Sequence, residues 1–205
     1  MKHAIPKQEE GKKLDITESK TCNTKEEAMD FYSTTRIKLL SINYWYEIAS
    51  LPASTFTLLD TLGTKKEGLA EEGDYIQIDI PGPGLWSTGG YDYVRVEQID
   101  ESREDNTEIL TMRLRPSTLP NPEDDLETKH FFNNMSSSTF QIKRIGNIVE
   151  ASYFGRNELM NLELDSLADK IRNIVVALGA KLGASFPQWK ALIHGLLDLD
   201  EEEKK

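Results

Sequence analysis

Between Tyr75 and Gly155 runs of side chains change sides residue by residue, and most of the links between the alternating runs are short. Tyr75–Ile80 (YIQIDI), Tyr91–Ile99 (YDYVRVEQI), Glu108–Arg115 (EILTMRLR), Thr139–Ile145 (TFQIKRI) and Ile148–Gly155 (IVEASYFG) all show this pattern. A period of two is that of a half-buried strand. Ser54–Asp60 (STFTLLD) adds a further, earlier run. Gly146-Asn147 alone joins the last two runs, and such a two-residue link marks a tight hairpin. The acidic stretch between Ile99 and Glu108 is placed to close another. Most of these connections are too short for crossover helices, so the expectation is an antiparallel sheet of about six strands.

On either side of this block the period becomes 3.6. Thr24 and Glu27 fit a capping box, in which each side chain satisfies a free backbone N–H at the start of a helix. Behind it Ala28, Tyr32, Leu39, Ile42, Tyr46 and Ala49 make one apolar stripe, widened by Leu40, Trp45 and Ile48. The spacing predicts one helix over 25–50, about 39 Å long at 1.5 Å per residue. Ser33, Thr34 and Thr35 are weak helix formers where a bend is expected, and the Leu51-Pro52 step ends the element. After the strands, Asp165 or Ser166 caps LADKIRNIVVALGAKLGA, whose stripe is Leu167, Ile171, Ile174, Leu178 and Leu182. Pro187 suits the first turn of a new helix. A break near 184–187 is therefore expected, then a short helix, PQWKALIHGLL, returning Trp189 and Leu192 to the core.

The fold class this predicts is α+β. An antiparallel sheet is flanked in sequence by a long N-terminal helix and a long, proline-broken C-terminal helix, both packing on one face. Residues 1–23 read as a flexible polar arm, 24–199 as a single domain and 200–205 as an acidic tail. The order of helix, six antiparallel strands and long C-terminal helix resembles that of helix-grip, START-like folds. The initial strand and the paired short helices of that fold have no counterpart in the sequence reading.

Charge narrows the partners. Lys and Arg number 24 against 35 Asp and Glu, a net charge of -11. That disfavours nucleic acid, whose phosphates are bound by clustered cations, and an anionic membrane surface. No apolar run reaches the ~18 residues of a membrane span. The opening MKHAIPKQEEGKKLD lacks the apolar stretch of a secretion signal, so the expected location is the cytoplasm. The single Cys22 allows neither an internal disulfide nor a zinc ribbon.

Catalytic patterns are sparse. PGPGLWSTGGYD at 81–92 is glycine-rich, but no Lys follows and a strand comes next, so it is not a phosphate loop. His130 follows Glu127, yet no second His lies near in sequence. Ser136, Ser137 and Ser138 form a polar run without a nucleophile-elbow pattern. The acidic stretches DESREDNTE and NPEDDLE lack the spacing of a calcium loop. Gly155-Arg156-Asn157-Glu158 reads as a strand-to-helix turn, and Gly179 with Gly183 as a small face on the last long helix. No catalytic residue, metal ligand or cofactor is assigned.

Alternation instead sorts the strands into faces. Ile76, Ile78, Ile80, Val94, Val96, Leu110, Met112 and Leu114 are the expected core face. Tyr75, Gln77, Asp79, Tyr93, Arg95, Glu97, Thr111, Arg113 and Arg115 lie opposite. Trp86 on the loop, with Tyr93, Arg95, Arg113 and Arg115, is the expected contact surface, because Trp, Tyr and Arg carry much interface energy. The leading functional reading is a non-catalytic interaction protein, a subunit of a larger assembly, with a protein partner or a second copy of itself. The alternative is a helix-grip-like carrier of a small apolar ligand, with a pocket lined by Ile78, Val96, Met112 and Leu178. A third is a hydrolase using His130, Glu127, Arg113 and Arg115 on an anionic substrate.

Overall fold

Seven strands form one antiparallel sheet: β1 (Lys12–Thr21), β2 (Thr55–Leu59), β3 (Tyr75–Asp79), β4 (Asp92–Glu104), β5 (Thr107–Ser117), β6 (Ser137–Ile145) and β7 (Ile148–Glu158). Their order is β1-β7-β6-β5-β4-β3-β2. The computed structural model describes residues 5–9, 12–50, 55–79, 92–117, 137–158 and 186–199. Gly146, at φ 60°, opens the β6–β7 turn, where a residue with a Cβ would be strained. β4 and β5 run on to a two-residue turn at Asp105-Asn106, longer than their alternating runs suggest.

The first strand corrects the reading of residues 1–23 as a flexible arm. KKLDITESKT pairs with β7 from Lys12↔Glu158 to Thr21↔Ile148. Only Leu14 and Ile16 are apolar, so alternation is faint. The backbone ladder supplies the order, and the polar side chains on the helix-bearing side have work in the fold. Lys20 Nζ donates to the carbonyl of Leu197 at 3.2 Å and lies 4.7 Å from the centre of the Phe31 ring.

The single long N-terminal helix is also corrected. α1 (Lys25–Leu40) is 16 residues long, followed by a 3-10 turn (Ile42–Tyr44) and a one-turn helix, α2 (Trp45–Ile48). Thr24 Oγ1 caps α1 by accepting from the Glu27 N–H at 3.1 Å, while Glu27 Oε2 accepts from the Asn23 N–H. The expected bend at 33–35 is absent. Ser33, Thr34 and Thr35 donate to the carbonyls of Met29, Asp30 and Phe31 one turn back, and the helix runs through them. The break falls at Ser41, and side chains make it favourable. Trp45 Nε1 donates to the Leu39 carbonyl at 2.9 Å, which meets one of the open acceptors at the helix end. Asn43 accepts from the Leu58 N–H and donates to the Lys66 carbonyl, tying the turn to β2. The break turns Tyr46 out to solvent, off the stripe it was assigned to.

The last helix, α3 (Phe186–Leu196), starts at the expected position with Trp189 and Leu192 buried. It is short, and the stripe from Leu167 to Leu182 lies outside the described residues. α3 packs so closely on α2 that a Cβ on Gly195 would sit 1.7 Å from the Ile48 carbonyl oxygen. Among the described residues the order is now β1, two short helices, six strands and a C-terminal helix. The initial strand and paired helices missing from the helix-grip resemblance are both present.

The core face is as the alternation predicts. Ile76, Ile78, Val94, Val96, Leu110, Met112 and Leu114 are buried, and α1, α2 and α3 pack on this side. Ile80 lies outside the described residues. At the helix junction five aromatic rings meet. Trp189 stacks on Tyr153 at 5.5 Å between centroids, and Trp45, Phe56 and Phe140 surround the pair at 5.1–6.4 Å spacings.

Candidate functional site

On the outer face, strand register brings four of the five expected contact residues together. Tyr75 pairs with Arg95, Arg95 with Arg115, and Tyr93 with Ser117. A bulge between Val96 and Gln98 pushes Glu97 out of register toward β5. Its carboxylate then bridges two arginines. Oε2 accepts from Arg113 Nε at 2.5 Å and Oε1 from Arg115 Nε at 2.8 Å. Arg113 Nη2 also donates to Gln98 Oε1.

This face is less open than a contact surface needs to be. Tyr93 is buried, and Arg113 and Arg115 side chains are only 16% and 17% exposed. Arg156, on β7 with β6 between it and β5, is buried too and donates to Asp15 Oδ1 on β1. Burial alone would raise the Asp15 carboxyl, but hydrogen bonds from Lys13 and Arg156 outweigh it and hold it below the usual carboxylate range. Arg95 alone of the four expected residues is exposed. Trp86, the fifth expected contact residue, lies outside the described residues.

The inner face carries a polar feature the alternation does not announce. Glu108 and Arg144 occupy core-face positions of β5 and β6, opposite one another. Arg144 Nε donates to Glu108 Oε2 at 2.6 Å and Nη1 to the Gly146 carbonyl at 2.8 Å. Above them, between α1 and the β4–β5 hairpin, a cleft of about 260 Å³ is lined by Tyr32, Ser33, Arg36, Glu101, Ser102, Arg103 and Glu108. Burial, then the nearby Glu101 and Glu108, push the Tyr32 hydroxyl up to about 12, so it stays protonated.

In the aromatic cluster two polar groups stand among rings. Ser138 Oγ and Tyr153 OH hydrogen-bond each other at 3.0 Å. Trp189 Nε1 is buried and has no acceptor among the described residues, unlike the Trp45 indole. An unsatisfied buried donor costs ~1–3 kcal/mol, so a group that could accept from it would be held there. Ile78, Val96 and Met112, expected to line an apolar pocket, are buried on this same face, while Leu178 lies outside the described residues.

The hydrolase set is not assembled among the described residues. His130 and Glu127 lie outside them, as do His3 and Ser136, and so does the 81–91 stretch. Ser137 and Ser138 are in β6 with no described histidine as a partner. His194, on α3, faces Glu18 of β1 at 3.2 Å. Among the described residues no group of three or more His, Cys, Asp or Glu is placed to hold a metal. No described helix is long and apolar enough to cross a membrane.

No family model matches the chain, and no curated protein is similar to it in sequence. Solved structures are similar in part. Hypothetical protein jhp0584 from Helicobacter pylori is 9% identical, with 91% of this chain and 84% of that one covered and a TM-score of 0.47. Ginseng major latex-like protein 151 from Panax ginseng is 12% identical over 84% of this chain and 98% of its own, at 0.37. Ara h 8.0201 is 16% identical over 91% and 99%, at 0.33. Likeness at these scores says nothing of what this chain binds.

Proposed function

We propose that the protein is a carrier of a small apolar ligand, held on the inner face of the sheet beside α3. The observation that carries this is the buried Trp189 indole N–H, which has no acceptor among the described residues. It stands among the rings of Trp45, Phe56, Phe140 and Tyr153. Apolar walls with a few placed polar groups are what small-molecule sites are made of. The ligand class this favours is a flat or aliphatic molecule with one hydrogen-bond acceptor, a carbonyl or a carboxylate, for the indole to meet. The buried hydroxyl pair of Ser138 and Tyr153 offers a second polar contact.

The test uses 8-anilinonaphthalene-1-sulfonate, an apolar probe with an anionic acceptor, and the full chain. Saturable binding to the folded protein is expected, with energy transfer from Trp189. Trp189→Phe keeps a ring and removes the donor. It should weaken binding about tenfold or more, since a hydrogen bond to a charged acceptor is worth ~1.5–3 kcal/mol. Absence of saturable binding, or equal binding by the variant, would remove the carrier reading.

A second reading, contact with another copy of this chain through the outer face, rests on Arg95. It is exposed and flanked by Tyr75 and Arg115 in register. Sedimentation equilibrium of wild type and Arg95→Glu decides it. An oligomer that the variant dissociates supports the reading, and a monomer at every concentration ends it.

A further inference from the structure

We propose that the cleft between α1 and the β4–β5 hairpin binds a small oxyanion of the phosphate class, at a site separate from the ligand face beside α3. The argument is an imbalance between donors and acceptors. Both oxygens of Glu101 are taken by Arg36, from Nε at 2.9 Å and Nη2 at 2.6 Å. Glu108 Oε2 accepts from Arg144, and Oε1 faces Arg103 Nε at 3.2 Å. The carboxylates that line the cleft are therefore already committed.

The donors are not. Among the described residues, Tyr32 OH has no hydrogen-bond partner, and the terminal nitrogens of Arg103 and Nη1 of Arg36 have none either. Arg103 is 70% exposed at the cleft mouth, so its fork is free to turn inward. Among the residues that line the cleft, Arg36 and Arg103 balance Glu101 and Glu108. A charge-balanced cleft stands apart from a chain of net charge -11.

Guanidinium forks match the spacing of oxygens on phosphate, and a protonated phenol adds a third direction of donation. A tetrahedral oxyanion presents acceptors to all three, whereas a planar carboxylate fills one fork. The volume suits a free phosphate or a phosphomonoester. The overall negative charge argues for a soluble species rather than a headgroup in an anionic bilayer, because the rest of the surface would be repelled.

The experiment is a titration of the full chain with inorganic phosphate, matched in ionic strength against sodium chloride. It is followed through the arginine Nε–H signals by NMR and through heat. Saturable perturbation centred on Arg36 and Arg103, absent with chloride, is expected. Arg103→Ala should weaken binding about tenfold or more, the loss of one charge-assisted contact, and lower the melting temperature only slightly, because Arg144 still pairs with Glu108. Tyr32→Phe should weaken it several-fold and gives an independent reading at the floor of the cleft. The proposal is overturned by a response no different from chloride, or by phosphate binding that neither variant alters. Phosphate should leave the naphthalene-sulfonate binding described above intact, so the two sites stand or fall separately.

Discussion

Strand β5 carries glutamate–arginine contacts on both of its faces, and the two behave as different kinds of interaction. Inside, Glu108 and Arg144 face each other across β5 and β6 with side chains 9% and 1% exposed. Outside, Glu97 reaches from a bulge in β4 to Arg113 and Arg115 and remains 28% exposed. The chemistry is the same, but the surroundings decide what each is worth. A buried pair has lost most of its water, so its value lies in the cost of separating it. A half-exposed bridge keeps a share of its hydration and contributes modestly either way.

The sharpest way to break this contrast is to orphan the inner carboxylate. Arg144→Met should destabilise the protein by ~3–5 kcal/mol, the usual penalty for leaving one buried charge unpaired. Urea unfolding of the full chain measures it. The double variant Arg144→Met with Glu108→Leu should recover most of the loss, because neither charge then needs a partner. A mild single variant would mean that water reaches Glu108, and the two faces would be alike.

Tyr32 reports on the same inner region without touching the pair's charges. Its hydroxyl is pushed up to about 12 by burial first and by Glu101 and Glu108 next, against the opposing pull of Arg36 and Arg144. In the unfolded chain a tyrosine releases its proton near 10. Between those values the unfolded state has lost a proton that the folded state keeps, so stability falls as pH rises through this window. The fall is at most ~2–3 kcal/mol from a shift of this size. Lys66, paired with Asp74 and Glu71, also titrates upward and adds to an alkaline loss. The measurement is therefore the difference between wild type and Tyr32→Phe melts. If both lose stability equally, Tyr32 is solvated and the cleft floor is wet.

What could be read in the sequence follows the same line between pattern and partner. Strand alternation placed Ile76, Val94, Val96, Leu110, Met112 and Leu114 on the core face, because a period of two needs only local sequence. It could not place Glu108 and Arg144 there, since a charge on an inward position is legible only once its partner across the strands is known. The bulge at Glu97 is one residue of slip, with no signal in composition. β1 was hidden because its order comes from the ladder with β7, some 130 residues away. The end of α1 was hidden because Trp45 and Asn43, rather than a glycine or proline, hold the break. The outer face was sorted correctly by side, while its burial and the pairing of Arg113 and Arg115 were outside what alternation can tell.

On the outer side, Glu97→Gln is the matching test. It removes the charge shared by Arg113 and Arg115 and keeps the shape. About 1 kcal/mol of destabilisation is expected for a partly exposed, hydrogen-bonded bridge. High salt should shrink the difference between wild type and variant here, while leaving the Arg144→Met difference nearly intact, because screening acts on exposed charges. A Glu97→Gln loss as large and as salt-resistant as that of Arg144→Met would show the bulge to be a buried site, and the contrast between faces would vanish.

The smallest effect belongs to the pair at the edge of the comparison, Arg36 and Glu101, which joins α1 to β4 across the cleft. The Arg36 hydrogen bonds hold the Glu101 carboxyl below its usual range, with burial opposing them. The contact is well aligned, at 2.9 and 2.6 Å, but the two side chains are 32% and 43% exposed. Because the folded carboxyl titrates lower than the unfolded one, its contribution is present above the unfolded value near 4.3 and fades as pH falls through the folded one. Solvent screening keeps it under about 1 kcal/mol. Melting curves of wild type and Glu101→Gln should therefore differ slightly at neutral pH and converge in acid. Convergence before the carboxylate range is reached would assign the loss to another group, with Asp15 beside Lys13 and Arg156 the next to examine by the corresponding Asp15→Asn variant.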